Sequence, residues 1–251
     1  MKKMLFFLLS LTAAFSLSAQ DQLYNMSMDN WTKKSGTWYP RAENATAAQT
    51  IWDSANKGMS IIGANCTTPE YKHVAVAGEG KAAAKIESRS VFGVFVAGNL
   101  FTGAYGKTVG TSGAVLNFGT PFTQRPRSLS GWYHYSPKAI NYAKGAHKDK
   151  KGQTDQATIE VTLTDWSKPL TIDTTKEKFI DGKTNPHAIG YGRLIVTKDS
   201  GGYVRFEIPI EYKSDAAPSY VVISAASSRY GEFFTGASGS VLYLDELQFN
   251  Y

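Results

Sequence analysis

Apolar and polar residues alternate strictly along Ile159-Glu160-Val161-Thr162-Leu163-Thr164, and again along Val204-Arg205-Phe206-Glu207-Ile208-Pro209-Ile210. A period of two marks a β-strand with one face on a core and the other in water. Pro209 has no amide to give a ladder, which places the second strand at a sheet edge or at a bulge. Further strands are expected over 83–96, 114–118, 129–135, 191–196, 220–225 and 241–249. Turn chemistry separates them at Gly78-Glu79-Gly80, Gly110-Thr111-Ser112-Gly113, Asp199-Ser200-Gly201-Gly202 and Asp215-Ala216-Ala217-Pro218. Long segments of helical period are absent. The pattern predicts an all-β chain, a sandwich or jelly roll, and argues against a parallel α/β sheet.

The last expected strand breaks the rule. Leu242 and Leu244 share one parity, and Leu247 and Phe249 share the other. A regular strand cannot point all four into one core. One extra residue at Asp245-Glu246 restores the face, so a β-bulge is predicted there. A bulge re-aims a carboxylate and frees carbonyls, which makes Asp245 a candidate ligand for a structural calcium ion; a plain strand irregularity is the alternative.

The N-terminus reads as a secretory leader. Lys2 and Lys3 precede the apolar run 4–15, and Ser16-Leu17-Ser18-Ala19 supplies small residues for cleavage after Ala19. The run is too short to span a bilayer comfortably, and no later stretch suits a crossing. Residues 20–251 are expected to form one β-sandwich domain, since no segment reads as a linker. Cys66 is the only cysteine, so an intramolecular disulfide is impossible and core burial must carry stability. The thiol is expected to be buried. Without the two leader lysines the formal charge falls from +6 to +4. One basic cluster, Lys144, His147, Lys148, Lys150 and Lys151, lies in a polar loop over 136–156. It reads as a solvated loop or as a contact for an anionic polymer. Nucleic acid is a poor partner for an exported chain with no recognition motif. A second long connection covers 172–188, and long loops on a sandwich often carry specificity.

Several chemistries find no support. Gly98-Asn99-Leu100-Phe101-Thr102-Gly103 lacks the Lys-Ser/Thr of a phosphate loop and reads as a turn. His73, His134, His147 and His187 are scattered, with no metal-ligand spacing. Glycosidase chemistry needs two carboxyls across a scissile bond, and Asp53, Glu160, Asp165, Glu207, Glu211, Glu232, Asp245 and Glu246 are all candidates that spacing cannot pair. The five tryptophans, Trp31, Trp38, Trp52, Trp132 and Trp166, say more. A sugar ring packs its C–H face on an aromatic plane, while its hydroxyls need fixed polar partners. Trp52 beside Asp53 and Asn56 is the most site-like group, although the same tryptophan could close the core. Arg125 and Arg127 flank Pro126 and read as an oriented donor or a loop anchor.

Taken together, Trp52-Asp53-Ser54-Ala55-Asn56, Gly98 to Gly103, Gly119 to Pro126, Gly131-Trp132-Tyr133-His134-Tyr135, Ser227 to Gly236 and Gly239 to Glu246 resemble the putative carbohydrate metabolism domain, PCMD, of exported proteins from glycan-degrading Gram-negative bacteria. The resemblance implies a jelly-roll β-sandwich similar to carbohydrate-binding modules, and a periplasmic or cell-surface role in glycan use. It implies no particular reaction. Members often carry a preceding immunoglobulin-like module, for which this chain is too short, and no cysteine lies near Ala19 for a lipid anchor, so surface attachment would need a partner protein. The leading expectation is a noncatalytic glycan-binding module with Trp52, Asp53, Asn56, Asn99, Arg125, Tyr133, Arg229 and Glu232 around one concave region. Trp52 would stack a ring, Asp53, Asn56 and Asn99 would bond hydroxyls, and Arg125 and Arg229 would hold ring oxygens or acidic groups. A glycoside hydrolase or lyase on the same fold, and a structural or adhesion subunit, are the alternatives. No cofactor is expected apart from the calcium ion.

Overall fold

The computed structural model describes residues 21–76, 80–110, 113–176 and 179–251. The leader reading lies outside them, as do parts of two expected turns, at 78–79 and 111–112. In chain order the strands are β1 (Thr32–Lys34), β2 (Thr37–Tyr39), β3 (Trp52–Asp53), β4 (Thr67–Glu70), β5 (Ala83–Glu87), β6 (Arg89–Val91), β7 (Val94–Val96), β8 (Asn99–Val109) and β9 (Gly113–Phe118). They continue as β10 (Thr120–Pro121), β11 (Ser128–Ser136), β12 (Ala157–Thr164), β13 (Leu170–Asp173), β14 (Ala188–Val196), β15 (Val204–Pro209), β16 (Glu211–Tyr212), β17 (Tyr220–Ala226) and β18 (Val241–Asn250).

Two antiparallel sheets stack as a jelly-roll β-sandwich. The larger runs β13-β9-β8-β17-β12-β14-β16, with β3 added on β8 and β10 on β17; the smaller runs β15-β11-β18-β5-β4. The core fills the space between them. Ile159, Val161 and Leu163 of β12 meet Leu129 and Tyr135 of β11 and Leu242, Leu244 and Phe249 of β18 in one buried cluster. The alternation in β12 therefore leaves Glu160 on the outer face, where it stands opposite Arg193 of β14 and Ser224 of β17. Pro209 sits in β15, the edge of the smaller sheet, where its missing amide costs no ladder bond. Among the described residues no helix is long and apolar enough to cross a membrane.

The bulge forms where parity demands it. Ser130 pairs with Gln248, but Trp132 pairs with Asp245, so β18 carries one extra residue across from Gly131. Glu246 takes up the turn with a left-handed φ of 47°. Leu242, Leu244, Leu247 and Phe249 are then all buried. Gly131 is what lets the bulge seat: a Cβ there would lie 2.8 Å from Leu247 Cδ2 and 3.1 Å from the Asp245 carbonyl.

Two expectations fail. The stretch 83–96 is three strands rather than one, because Phe92 and Gly93 adopt φ of 48° and 79° and turn β6 back on β7. The Gly98–Gly103 segment is no turn: Gly98 leads directly into β8, which begins at Asn99. Gly103 marks a close approach instead: a Cβ there would lie 2.1 Å from the Asn117 carbonyl of the adjacent β9.

Candidate functional site

Period two along β11 sends Leu129, Tyr133 and Tyr135 inward and leaves Ser128, Ser130, Trp132, His134 and Ser136 on the outer face of the smaller sheet. Trp132 stands between Arg205 of β15 and Asp245 of β18 in the cross-strand register. The bulge opens the sheet surface at this point. The result is a pocket of about 540 Å³, walled by Trp132, Arg205, Glu246, Gln248, Ser27 and Gln22 among others. Trp132 is half-buried. Gln22 is spent, since its amide bonds the Phe249 backbone in both directions (2.9 and 2.8 Å). Among the described residues neither the Arg205 guanidinium nor the Trp132 Nε1 makes a hydrogen bond within the chain, and Arg205 is exposed.

A loop at 71–76 forms one side, with Val76 lining the pocket. Ala75 N donates to Asp245 Oδ2 at 2.8 Å, and Tyr203 Oη donates to the His73 carbonyl at 2.7 Å. His73 Nε2 and His134 Nδ1 are 2.7 Å apart and share a hydrogen bond. The His134 ring stacks on Tyr243 with centroids 5.4 Å apart. Burial, reinforced by His73, lowers the His134 pKa and favours the neutral ring. The fold thus brings together two histidines that are 61 residues apart. Asp245 itself is sealed. Its other oxygen accepts Glu246 N at 3.0 Å, and burial pushes the carboxyl up to about 6. Among the described residues no three His, Cys, Asp or Glu side chains converge as metal ligands.

The sequence-derived candidates do not gather in one hollow. Trp52 is 1% exposed and belongs to the core; its Nε1 donates to the Tyr24 carbonyl at 2.7 Å. It offers no face to a sugar, which corrects the stacking role expected of it. Asp53 is buried and accepts Tyr105 N (2.9 Å), Ser54 N (2.9 Å) and Lys57 Nζ (2.9 Å). Asn56 is buried and fully bonded to the chain around it: Nδ2 donates to the Trp38 and Thr67 carbonyls, and Oδ1 accepts Cys66 N and Thr67 N. Asn99 Oδ1 accepts Ala55 N at 2.9 Å. These four hold the turn 52–56 against β8 and β4. Cys66 is buried beside them, and burial raises its thiol pKa. Arg125 anchors a loop, bonding the Ala216 and Ser214 carbonyls while its guanidinium covers Tyr212 at 4.0 Å. Tyr133 faces inward against Phe206. Arg229 and Glu232 lie on the far side of the molecule, near Glu160 and Arg193 of the larger sheet.

Trp132, Arg205 and Gln248 received no role in the sequence reading. The signal was present. Trp132 has the parity of Ser128, Ser130 and His134, so the indole belongs to the polar face of its strand, whereas Trp52 begins a segment whose polar groups serve buried backbone.

Burial raises the pKa of Glu232 and Asp245, as it does that of Asp155 and Glu160. Burial, with the charges of Glu160 and Asp181 adding to it and Arg193 opposing, pushes Glu232 up to about 7. An unfolded carboxyl titrates near ~4. Glu232 and Asp245 therefore bind protons more tightly in the folded chain, and their contribution to stability grows as pH falls from about 7 toward 4 and is lost as pH rises through the folded values. Relative to Glu232→Gln or Asp245→Asn, the parent chain should gain melting temperature as pH is lowered from ~8 to ~5. Parallel melting curves across that range would refute this assignment.

The stacked antiparallel sheets define a jelly-roll β-sandwich with a pocket on one outer face. The chain belongs to the PCMD family, described as the putative carbohydrate metabolism domain, which matches residues 27–250. It is a carbohydrate-related domain. Among solved structures it is similar to a putative glycoside hydrolase from Bacteroides thetaiotaomicron VPI-5482 (TM-score 0.67, 22% identity, 93% of this chain and 72% of that one). It is likewise similar to a putative glycoside hydrolase from Bacteroides vulgatus ATCC 8482 (TM-score 0.67, 18% identity, 90% and 96%). At these identities the likeness concerns the fold. No curated protein matches the chain.

Proposed function

We propose that this chain is an exported glycan-binding protein whose site is the pocket beside Trp132. One observation carries the reading: a half-buried indole shares a 540 Å³ pocket with a guanidinium that no described residue engages. A sugar ring laid on the indole would bury its C–H face, while Arg205, Gln248 and Glu246 reach its hydroxyls. The leader-like N-terminus supports export to the periplasm or cell surface.

Holding fits this pocket better than cutting. Hydrolysis needs two carboxyls facing one another across the bond. Here Glu246 lines the pocket, while Asp245 is buried with each oxygen accepting a backbone amide. Trp132→Ala should weaken glycan binding by about 1–3 kcal/mol, a loss of roughly five- to 150-fold in affinity. Glycan arrays followed by calorimetry on the best ligand would measure it. Unchanged affinity would sink the assignment, and release of reducing ends during the same incubations would convert it to the hydrolase reading suggested by the two similar structures.

A further inference from the structure

The β6–β7 hairpin carries an aromatic side chain where its turn calls for a small polar one. Val91 pairs with Val94, which leaves Phe92-Gly93 as a two-residue loop, and both loop residues have positive φ, 48° and 79°. Asn-Gly or Asp-Gly is the usual pair in such a turn, and a bulky residue there strains the backbone. Burial does not offset that strain, because Phe92 is 90% exposed, and Val91 and Val94 beside it are half-buried. Strain retained at an exposed aromatic points to a use outside the fold.

The basic loop over 136–156 is fastened to the root of this hairpin. Phe95 stacks on Tyr142 with ring centroids 5.4 Å apart, and Ser90 Oγ and Tyr142 Oη share a hydrogen bond. Ser88, just before β6, donates its amide to the Ser240 carbonyl, and Lys138 N donates to Ser240 Oγ at 3.0 Å. Lys138 and Lys144 therefore flank the root from two sides of the loop. Lys138, Lys144, Lys148 and Lys151 are exposed, and none of the four forms an ion pair among the described residues. The carboxylates of the same two segments are spent: Glu87 holds Lys85 and Arg89, Asp149 holds Lys150, and Asp155 is buried. An apolar tip thus stands beside a net positive surface.

That pairing of features matches the interface of an anionic bilayer. An aromatic ring enters the boundary between headgroups and acyl chains, while ammonium groups meet the phosphates. A soluble polyanion would engage the lysines but offers nothing to Phe92. We propose that the hairpin tip at Val91–Val94, with Lys138 and Lys144 at its root, docks the protein on a membrane surface rich in anionic phospholipid. None of these residues lines the Trp132 pocket, so the proposal does not rest on the glycan reading.

Vesicle flotation tests this on residues 20–251, which hold every element described above. Vesicles with about one-third phosphatidylglycerol should bind the chain about tenfold more strongly, or better, than phosphatidylcholine alone. Phe92→Asp should lower that binding about tenfold, and so should Lys138→Glu combined with Lys144→Glu. Phe92→Asn separates docking from folding. Asparagine suits a left-handed φ, so the melting temperature should hold or rise while vesicle binding falls; a ring that served the fold would lower it. Absent or equal binding to the two kinds of vesicle overturns the proposal. So does phosphatidylglycerol binding that survives both Phe92 variants and falls only with the lysine changes, which would make the surface a general polyanion contact.

Discussion

Asn56→Ala should lower the melting temperature by roughly 10–15 °C, the consequence of a stability loss of about 4 kcal/mol in a chain of this size. The side chain replaces a missing strand partner. It donates to the Trp38 carbonyl at 2.9 Å and the Thr67 carbonyl at 2.6 Å, and accepts Cys66 N at 2.8 Å and Thr67 N at 3.0 Å. Its truncation strands all four backbone groups inside the protein, where water does not reach them. Each orphan costs on the order of 1–3 kcal/mol, and because the four share one site their costs do not simply add. Asn56→Asp should also be damaging, since it keeps the acceptor, loses both donors and buries a charge. A drop of only a few degrees for the alanine variant, read by differential scanning calorimetry, would mean that water replaces the amide and that the turn 52–56 is looser than it looks.

Trp52→Ala belongs in the same class and has a comparable size. The indole is 1% exposed, belongs to the same buried cluster as Met26, Met28, Ile51 and Leu100, and also satisfies the Tyr24 carbonyl. Emptying that volume should cost about 3–5 kcal/mol. Paired with Trp132→Ala, the variant separates two roles for one residue type. Loss of Trp52 should cut stability and leave the sugar affinity of the remaining folded protein intact. Loss of Trp132 should cut affinity and leave stability nearly unchanged. Equal melting temperatures for parent and Trp52→Ala would contradict the burial on which this contrast rests.

The contrast also shows what the sequence makes legible. Parity along β12, β15 and β18 reveals which residues face the core, and it requires the bulge at Asp245-Glu246 because four apolar residues cannot otherwise share one side. Long-range satisfaction is invisible to parity. Asp53, Asn56 and Asn99 look like ligand-binding groups because they are polar, yet most of their partners are backbone atoms, up to 52 residues away in sequence. The loop over 136–156 hides a similar case in Asp155, fully buried and bonded to Ser228 Oγ and Ala237 N. Glycine misleads in β8, where Gly103 answers to the neighbouring carbonyl rather than to a turn. The group around Glu160 draws Asp181, Arg193 and Glu232 from three separate segments, and no spacing rule connects them.

The place of β18 has a last consequence. It lies between β11 and β5, so the smaller sheet has its middle supplied by residues 241–250. A fragment that stops short of them holds two half-sheets with facing open edges and an uncovered apolar layer, the state most exposed to proteases and to self-association. Closure must wait for contacts distant in sequence, which makes the final pairing slow, and Leu242, Leu244 and Phe249 arrive together as its latch.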